Sequence, residues 1–311
     1  MSAIQCQTFV GAGRIGELVL GDAMTHDIKV RDPHAGADAG LHPNSSRGRG
    51  MKNMFSLEGK VALITGAGRG IGAGMARVFA EAGAAVAAVA RTASQVEAVA
   101  AEIRAAGGRA IAITADLNDN SQLPGIIEQA VAQLGGIDVL INNAGGAMSP
   151  AFVDTRMEHL ESMFHLEVAV PFELSRLALP HLLDRPGASI INTCSVGTYR
   201  APRGALAHYV TKAALGHLTK LMAADLGPRI RVNAVVPGPV ETPALKEVFE
   251  KHPEIRERIN NVVRMRRIAR PDEIGYAALY LASPAAAFVT GTLLDIHGGH
   301  VEESRPISPD L

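Results

Sequence analysis

Short aliphatic runs alternate with longer helical patterns from Lys60 onward, and this alternation leaves few possible folds. Seven runs are candidate strands: VALIT (61–65), AAVAAVA (84–90), AIAITA (110–115), IDVLINN (137–143), ASIINTC (188–194), IRVNAVV (230–236) and TLLDI (292–296). Alternating strands and helices predict a parallel sheet, and strands without polar alternation are typical of sheets covered on both faces. Right-handed crossovers then give an α/β fold with one doubly wound parallel sheet.

The flanks of this region differ from it. Residues 1–54 show no sustained periodicity and are rich in Gly, His, Pro, Ser and Arg near their end, so we expect a disordered N-terminal extension. Its VGAGRIG stretch (10–16) matches a nucleotide-binding glycine pattern but lacks the strand and helix context that this function needs. Residues 55–300 form the predicted domain, and the proline-containing residues 301–311 form a tail.

Composition excludes several classes of protein. The 311 residues carry a formal net charge of -1, and aromatic residues are 4% with no Trp, which disfavours nucleic-acid binding. No apolar run reaches the roughly 18 residues that span a bilayer, so we expect no membrane insertion. The two cysteines, Cys6 and Cys194, have no metal-ligand spacing, which favours a reducing, cytoplasmic location and no metal site.

The first strand leads directly into GAGRGIGAGMARVFAEAG, in which Gly66, Gly70 and Gly72 form a tight turn that opens a helix. Glycines let the backbone approach a pyrophosphate, and the helix N-terminus offers unpaired N–H groups to it. The predicted fold is therefore a Rossmann-like dinucleotide-binding domain.

The second strand ends at Ala90 and is followed by Arg91 rather than by an acidic residue, and Arg69 lies in the glycine turn. Two arginines suit a 2′-phosphate and favour NADP(H) over NAD(H). The alternative is that each is an ordinary surface arginine without a role in binding.

From residue 55 onward the chain resembles the short-chain dehydrogenase/reductase family, and several motifs recur in order. TGAGRGIG is followed by ADL (115–117), NNAG (142–145), RVNAVVPGPVET (231–242) and FVTGTLLDIHGG (288–299). The resemblance implies an enzyme that interconverts a small-molecule carbonyl and alcohol. The implied cofactor-binding residues are Gly66, Gly68, Arg69, Gly70, Ile71, Arg91, Asp116, Leu117, Asn143, Ala144, Gly145, Lys212, Pro237, Gly238, Val240 and Thr242.

The catalytic pattern departs from the family. Family members carry a tyrosine four residues before a lysine, on one helix face, and a serine thirteen residues before the tyrosine. Counting from Lys212 and from Ser195, both anchors place His208 in the tyrosine position. The alternative is a one-residue shift of the helix start that brings Tyr209 into the pocket.

A second departure is Glu167, which occupies the position of a family asparagine. Lys212 is expected to disfavour a protonated imidazole at His208, whereas a carboxylate at Glu167 favours it, so the two substitutions can compensate. Our hypothesis is a proton relay with His208 as acid and base, Ser195 positioning the carbonyl and Lys212 orienting the nicotinamide ribose. The rival hypothesis is a regulatory or scaffolding protein that binds NADP(H) without turnover.

Residues 239–268 are expected to form a helical lid over the substrate. The basic run 264–270 indicates a solvated face, and the alternative is attraction of an anionic substrate. In the family, assembly as homodimers or homotetramers uses two long helices, here residues 158–183 and 205–226. The resemblance therefore implies the same assembly for this chain.

Overall fold

The computed structural model describes residues 54–145, 150–201 and 204–299. The strands are β1 Val61–Thr65, β2 Ala85–Ala90, β3 Arg109–Thr114, β4 Val139–Asn142, β5 Ser189–Thr193, β6 Arg231–Pro237 and β7 Leu293–Ile296. The α-helices within these residues are α1 Gly70–Glu81, α2 Ala93–Ala105, α3 Leu123–Leu134, α4 Met157–Phe164, α5 Val170–Leu183, α6 Leu206–Leu226, α7 Pro243–Lys251, α8 Pro253–Val262 and α9 Pro271–Ala282. Each of the seven predicted strands is confirmed, with ends that differ by a residue or two.

The strands form one parallel sheet in the order β3-β2-β1-β4-β5-β6-β7. The chain runs outward from β1 to β3 and then returns to the centre, where β4 pairs with β1. Ligands of such sheets bind at this point of reversal, beyond the carboxyl ends of the strands. The predicted doubly wound Rossmann-like fold is confirmed.

Helices cover both faces of the sheet. One core contains Met75 and Phe79 of α1 together with Ile274 and Leu281 of α9. The absence of a side chain at Gly74 allows α1 and α9 to pack closely, since a Cβ there would lie 2.7 Å from Pro271. The second core lies on the other face and contains buried residues of α3, α5 and α6. The abundance of Ala and Gly thus corresponds to closely packed helices, as expected.

The predicted long helix of residues 158–183 is interrupted. A five-residue π-helix, His165–Ala169, separates α4 from α5. Pro171 lacks the N–H that an α-helix would direct to the carbonyl of Glu167, so the backbone at this point cannot keep the regular α-helical pattern. Apolar periodicity alone does not reveal this widened turn, which we call the π-turn.

The predicted lid is formed by α7 and α8. Its base is closed by an isolated parallel bridge between Val240 and Ala269, in which the Glu241 amide donates to the Ala269 carbonyl at 2.8 Å. At its far side the amide of Met265 donates to the carbonyl of Gly298 at 3.1 Å. The helices α7 and α8 are therefore an excursion that leaves the sheet and returns to it.

Residues 1–53 and 300–311 lie outside the described residues, as do the proposed extension, the VGAGRIG stretch and the C-terminal tail. Our predictions for these segments stay predictions. Within the part of the chain that the structure describes, no helix combines the length and the apolar character needed to cross a bilayer.

Candidate active site

The glycine turn lies at the carboxyl end of β1, at the point where the strand order reverses. Gly66 has φ 64°, and a Cβ there would lie 2.9 Å from the Cα of Ala144. A Cβ on Gly72 would overlap the carbonyl of Gly66. The turn is therefore as tight as the sequence predicts, and Gly66 presents backbone without a side chain to the end of β4.

Hydrogen bonds fix the ends of β1 and β4 together. The hydroxyl of Thr65 accepts from the amides of Asn143, at 2.9 Å, and Ala144, at 3.1 Å. The side-chain amide of Asn143 donates to the carbonyl of Thr65 at 3.0 Å. Gly66, Asn143, Ala144 and the adjoining Gly145, all predicted to bind the cofactor, thus meet at one edge of the sheet.

The residues predicted for the adenosine end also converge. A Cβ on Gly68 would lie 3.0 Å from Cβ of Ala90, so the segments that carry Arg69 and Arg91 are neighbours. Both arginines are exposed, and neither forms an ion pair with any other described residue. Asp116 is exposed after β3 and accepts from the Asn118 amide at 3.0 Å, whereas its neighbour Leu117 is buried.

The residues predicted for the nicotinamide end follow β6. A Cβ on Gly238 would lie 2.8 Å from His297, next to the end of β7, and Val240 is buried. Thr242 caps α7 because its hydroxyl accepts from the Leu245 amide at 3.3 Å. The methyl group of Thr242 lies 3.2 Å from where a Cβ on Gly70 would stand, so this segment faces the glycine turn. Ile71 packs against the core beneath the turn.

The proton-relay candidates surround one buried carboxylate. Oε1 of Glu167 lies 3.6 Å from Nδ1 of His208 and 3.4 Å from Nζ of Lys212. The Glu167 side chain is 0% exposed, whereas the imidazole is 20% exposed and the Lys212 side chain 6%. His208 and Lys212 therefore share a counter-charge, and of the three side chains the imidazole is the most exposed to solvent.

The π-turn positions Glu167, and Gly145 makes room for it. A Cβ on Gly145 would lie 3.0 Å from Oε1 of Glu167 and 3.5 Å from Nζ of Lys212. The end of β4, where the cofactor residues meet, is thus in direct contact with the charged cluster. A side chain at residue 145 would crowd the Glu167 carboxylate, so this close approach favours glycine at the end of NNAG.

The charge state of Glu167 follows from its surroundings. Burial raises the pKa of the carboxyl, but the adjoining His208 side chain, the charge of Lys212 and the hydroxyl of Thr211 outweigh burial and lower that pKa to about 2. Glu167 is ionised at neutral pH. The carboxylate therefore presents a fixed negative charge to both His208 and Lys212.

Lys212 and Ser195 lie at the carboxyl end of β5. The ammonium group of Lys212 donates to the Thr193 carbonyl at 3.0 Å. Ser195 directly precedes a short 3-10 helix, and its hydroxyl accepts from the Gly197 amide at 3.3 Å. Both groups are therefore held by the backbone around the end of this strand.

Tyr209 lies on a different part of the α6 surface. Its ring packs against Gly197 so closely that a Cβ on Gly197 would overlap it. Burial raises the pKa of the Tyr209 phenol, and the charge that opposes this effect is that of Arg200. A raised pKa makes this phenol a weaker acid than a free tyrosine.

Thr211 is a residue of this cluster that sequence reasoning missed. Its hydroxyl lies 2.5 Å from Oε2 of Glu167 and 2.9 Å from the carbonyl of His208, and the residue is fully buried. A threonine directly before the lysine was the available signal. Its contact with Glu167 could not be inferred, because the two residues are 44 positions apart.

Three weaker candidates are accounted for. Cys194 is buried directly after β5, and burial raises the pKa of its thiol to about 11, which agrees with a structural residue rather than a reactive thiol. In the basic run, Arg267 pairs with Glu273 and Arg270 with Asp272 on the surface. The described residues contain no group of three or more His, Cys, Asp or Glu side chains that could hold a metal ion.

Comparison with known proteins identifies the family. The model of the family described as enoyl-(acyl carrier protein) reductase matches residues 66–300. The chain belongs to the short-chain dehydrogenase/reductase family. This confirms the resemblance seen in the sequence, and with it an oxidoreductase family that acts on alcohols and carbonyls.

Relatives share the whole domain. An uncharacterised oxidoreductase of Mycobacterium tuberculosis, MT0954, is 43% identical over 248 residues, which are 79% of this chain and 94% of the relative. A solved structure of 7α-hydroxysteroid dehydrogenase with NADH and 7-oxo glycochenodeoxycholic acid is 37% identical, with a TM-score of 0.78 over 83% of this chain and 100% of that chain. A gluconate 5-dehydrogenase homologue from Beutenbergia cavernae with bound NADP is 32% identical, with a TM-score of 0.75 over 79% of this chain and 98% of that chain.

Proposed function

We propose that this short-chain dehydrogenase/reductase is an NADP(H)-dependent enzyme that interconverts a small-molecule carbonyl and an alcohol, with His208 as its proton donor and acceptor. The observation that carries the proposal is the convergence of His208 Nδ1 and Lys212 Nζ on one oxygen of buried Glu167, at 3.6 and 3.4 Å. His208 and Glu167, the two residues that depart from the family pattern, thereby compensate each other. The carboxylate takes the place of a hydrogen-bonding amide and supplies the charge that an imidazole acid requires.

The cofactor part of the proposal is supported by the bare backbone of the glycine turn. Side chains at Gly66 or Gly72 would fill the cradle in front of the N-terminus of α1. A pyrophosphate fits such a position because the helix N-terminus carries unpaired N–H groups and the positive end of the helix dipole. NADPH, when bound, supplies the hydride.

Preference for NADP(H) is supported by the two arginines beside the glycine turn. The contact of Gly68 with Ala90 makes the backbones of Arg69 and Arg91 neighbours, and both side chains extend to solvent. Guanidinium groups bind a phosphate with paired hydrogen bonds, and no acidic residue directly follows Ala90 to accept from ribose hydroxyls. Related structures hold NADH in one case and NADP in another, so the preference needs its own test.

The proton steps follow from the cluster. Nδ1 of His208 faces Glu167, which leaves Nε2 for the substrate oxygen. During reduction, Nε2 gives its proton to the oxygen as the alkoxide develops, and during oxidation it accepts the hydroxyl proton. Ser195 donates a hydrogen bond to the same oxygen, while Lys212 orients the ribose of the cofactor and offsets part of the Glu167 charge.

The alternative function is an NADP(H)-binding regulatory or scaffolding protein without turnover. It is favoured by the position of Tyr209, which packs on Gly197 and has a raised pKa, so that the usual tyrosine acid is not restored by a neighbouring residue. The glycine turn and the cofactor residues would serve this function equally well.

Substitution of His208 separates the two functions. The wild type, His208→Ala and His208→Tyr are assayed with NADPH over a panel of carbonyl compounds that includes 7-oxo glycochenodeoxycholic acid. We expect the wild type to turn over, and His208→Ala to lose about 10²- to 10⁴-fold in kcat, the usual contribution of a general acid. Activity in His208→Tyr but not in the wild type would overturn the relay. Absence of activity in both the wild type and His208→Tyr would favour the binding function.

We extend the proposal to self-association as a homodimer or homotetramer. Large apolar side chains are exposed along the helices that family members use for assembly, namely Phe164 on α4, Phe172 on α5, and Val210 and Leu221 on α6. Exposed apolar side chains on adjacent helices favour association with a second copy. The cytoplasmic location and the absence of nucleic-acid and membrane partners stay predictions.

A further inference from the structure

We propose that a cavity at the amino ends of β1, β2 and β3 binds a phosphate group, at the edge of the sheet opposite to the cofactor residues. The ligand is inorganic phosphate or a small phosphorylated compound. None of the described residues that line this cavity belongs to the candidate active site, so the proposal does not depend on the proposed function.

The cavity is lined by three cationic side chains. Lys60 directly precedes β1, Arg109 is the first residue of β3, and Arg185 lies in the turn between α5 and β5. The other described residues that line the cavity are small or apolar, namely Gly59, Val61, Gly83, Ala85, Leu134 and Gly135. Positive side chains thus meet here, and the described part of the lining contains no acidic side chain. Such a cavity favours an anionic ligand.

The two arginines are held by backbone carbonyls. The guanidinium of Arg109 donates to the carbonyl of Gln133 at 3.1 Å, and the guanidinium of Arg185 donates to the carbonyl of Gly135. Neither arginine forms an ion pair with another residue in the described part of the chain. A carbonyl orients a guanidinium without neutralising its charge, so the remaining N–H groups can bind an anion.

Lys60 differs from the arginines because it has a carboxylate partner. Its ammonium group lies 2.9 Å from Oδ1 of Asp138 and donates to the carbonyl of Pro186 at 3.0 Å. The Asp138 side chain is 4% exposed, and its other oxygen accepts from the amide of Val61 at 3.0 Å. This carboxylate offsets one of the three positive charges, which leaves two for a ligand.

The size of the cavity limits the ligand to a small anion. Gly59 has φ 74° and Gly135 has φ 89°, and a Cβ on either would meet no atom within 4 Å outside its chain neighbours. The volume is about 230 Å³, below the roughly 300 to 1,000 Å³ of pockets for drug-sized ligands. Because one water takes about 30 Å³, the cavity holds a phosphate group and a few waters.

Phosphate suits the cationic groups better than a carboxylate does. A guanidinium fork binds a pair of phosphate oxygens, and a dianion matches the two uncompensated charges. The glycine turn of the cofactor site lies at the other end of β1, whose five residues span roughly 17 Å. One phosphate group therefore cannot contact both places.

The test measures phosphate binding to the full-length protein by titration calorimetry in phosphate-free buffer. Inorganic phosphate and glycerol 3-phosphate are the probes. We expect Arg109→Gln and Arg185→Gln each to weaken binding about 10- to 100-fold, as for the loss of a hydrogen bond to a charged group. Lys60 is kept in all variants, because its loss would leave the buried Asp138 unpaired.

Two controls locate the binding site. Arg176→Gln is the matched control, because Arg176 lies on α5 and is exposed but pairs with the carboxylate of Glu173 at 2.7 Å. The double variant Arg69→Gln, Arg91→Gln removes the arginines beside the glycine turn. Both controls should bind phosphate with the affinity of the wild type.

Weaker binding in Arg109→Gln and Arg185→Gln, with unchanged affinity in both controls, supports the proposal. The probe that binds more tightly then tells whether the ligand is inorganic phosphate or a phosphate ester. Absence of binding to the wild type overturns the proposal, as does binding that only the double variant weakens, which would assign the anion to the glycine turn. Thermal unfolding without phosphate checks that each variant is folded. If Arg185→Gln is not, the exposed Arg109 carries the test, together with Arg185→Lys, which keeps the charge but should lose part of the affinity.

Discussion

At the scale of single residues, the proposed proton relay depends on a carboxylate buried beside His208 and Lys212. A buried Glu usually becomes neutral, because desolvation penalises its charge. Glu167 keeps its charge because His208, Lys212 and Thr211 surround it, and its pKa falls to about 2 instead of rising. The site is therefore stabilised by ionisation of the carboxyl, and this contribution must depend on pH.

The pH dependence of stability is a residue-scale prediction. The pKa of Glu167 is depressed in the folded protein from 4.5 to about 2, so the stabilisation is present above pH 4.5 and is lost as the pH falls toward 2. We expect the free energy of unfolding of the wild type, relative to Glu167→Gln, to be about 2 kcal/mol larger at pH 6 than at pH 3. Urea unfolding of both proteins at the two pH values measures this difference. An equal difference at both values would contradict an ionised, stabilising Glu167.

At the scale of elements, α6 is fitted to the segment after β5 at Gly197. The glycine is buried in a short 3-10 helix that follows Ser195, and the Tyr209 ring occupies the space that a side chain at residue 197 would need. The first turns of α6, which carry His208, are thereby set against the end of β5. The sequence contains both residues, but nothing in their spacing shows that they touch.

Gly197→Ala is the element-scale prediction. The added methyl group overlaps the Tyr209 ring, so the ring or the start of α6 must shift, and we expect a loss of about 1 to 3 kcal/mol in stability together with reduced activity. Gly125→Ala is the matched control, because Gly125 lies within α3 with nothing within 4 Å of the added Cβ. That change should stabilise the protein by about 0.5 to 1 kcal/mol. Thermal or urea unfolding of the two variants compares them, and equal stabilities would refute the packing described for Tyr209.

At the scale of the whole molecule, the sheet brings distant segments to one edge. The turn after β1, the ends of β2, β4 and β5, and the segment after β6 all lie at the carboxyl ends of parallel strands. Cofactor binding should therefore stabilise the domain as a unit rather than one segment of it. The proposed association of two copies would use the exposed faces of α4, α5 and α6.

Thermal shifts test the cofactor preference. At a concentration about 100 times the Kd, a ligand stabilises the folded state by about 2.7 kcal/mol, which raises the Tm of a domain of this size by roughly 5 to 10 °C. We expect NADPH to produce this shift at a lower concentration than NADH, and Arg91→Asp to reverse the order. Stabilisation of the wild type by NADH but not by NADPH would refute the roles proposed for Arg69 and Arg91.

Self-association is the second prediction at this scale. Phe172 is 50% exposed on α5 and Leu221 is 52% exposed on α6. A carboxylate at either position would have to be desolvated in an interface, so Phe172→Asp and Leu221→Asp should reduce the molar mass measured by light scattering toward that of a monomer. Lys220→Asp, at an exposed polar position of α6, is the control and should leave the mass unchanged. A wild type that is monomeric at all concentrations would contradict the proposed assembly.

The parallel sheet, the glycine turn and the spacing of His208 from Ser195 and Lys212 could all be predicted from the sequence. These features depend on local periodicity and on spacing along one segment, and both are visible directly in the sequence. Three features depend on the folded chain: the π-turn, which precedes Pro171, places Glu167 against α6, the Thr211 hydroxyl contacts the second carboxylate oxygen of Glu167, and the Tyr209 ring packs on Gly197. Each of these contacts joins side chains from separate elements, and their packing, rather than any local pattern, decides which atoms meet.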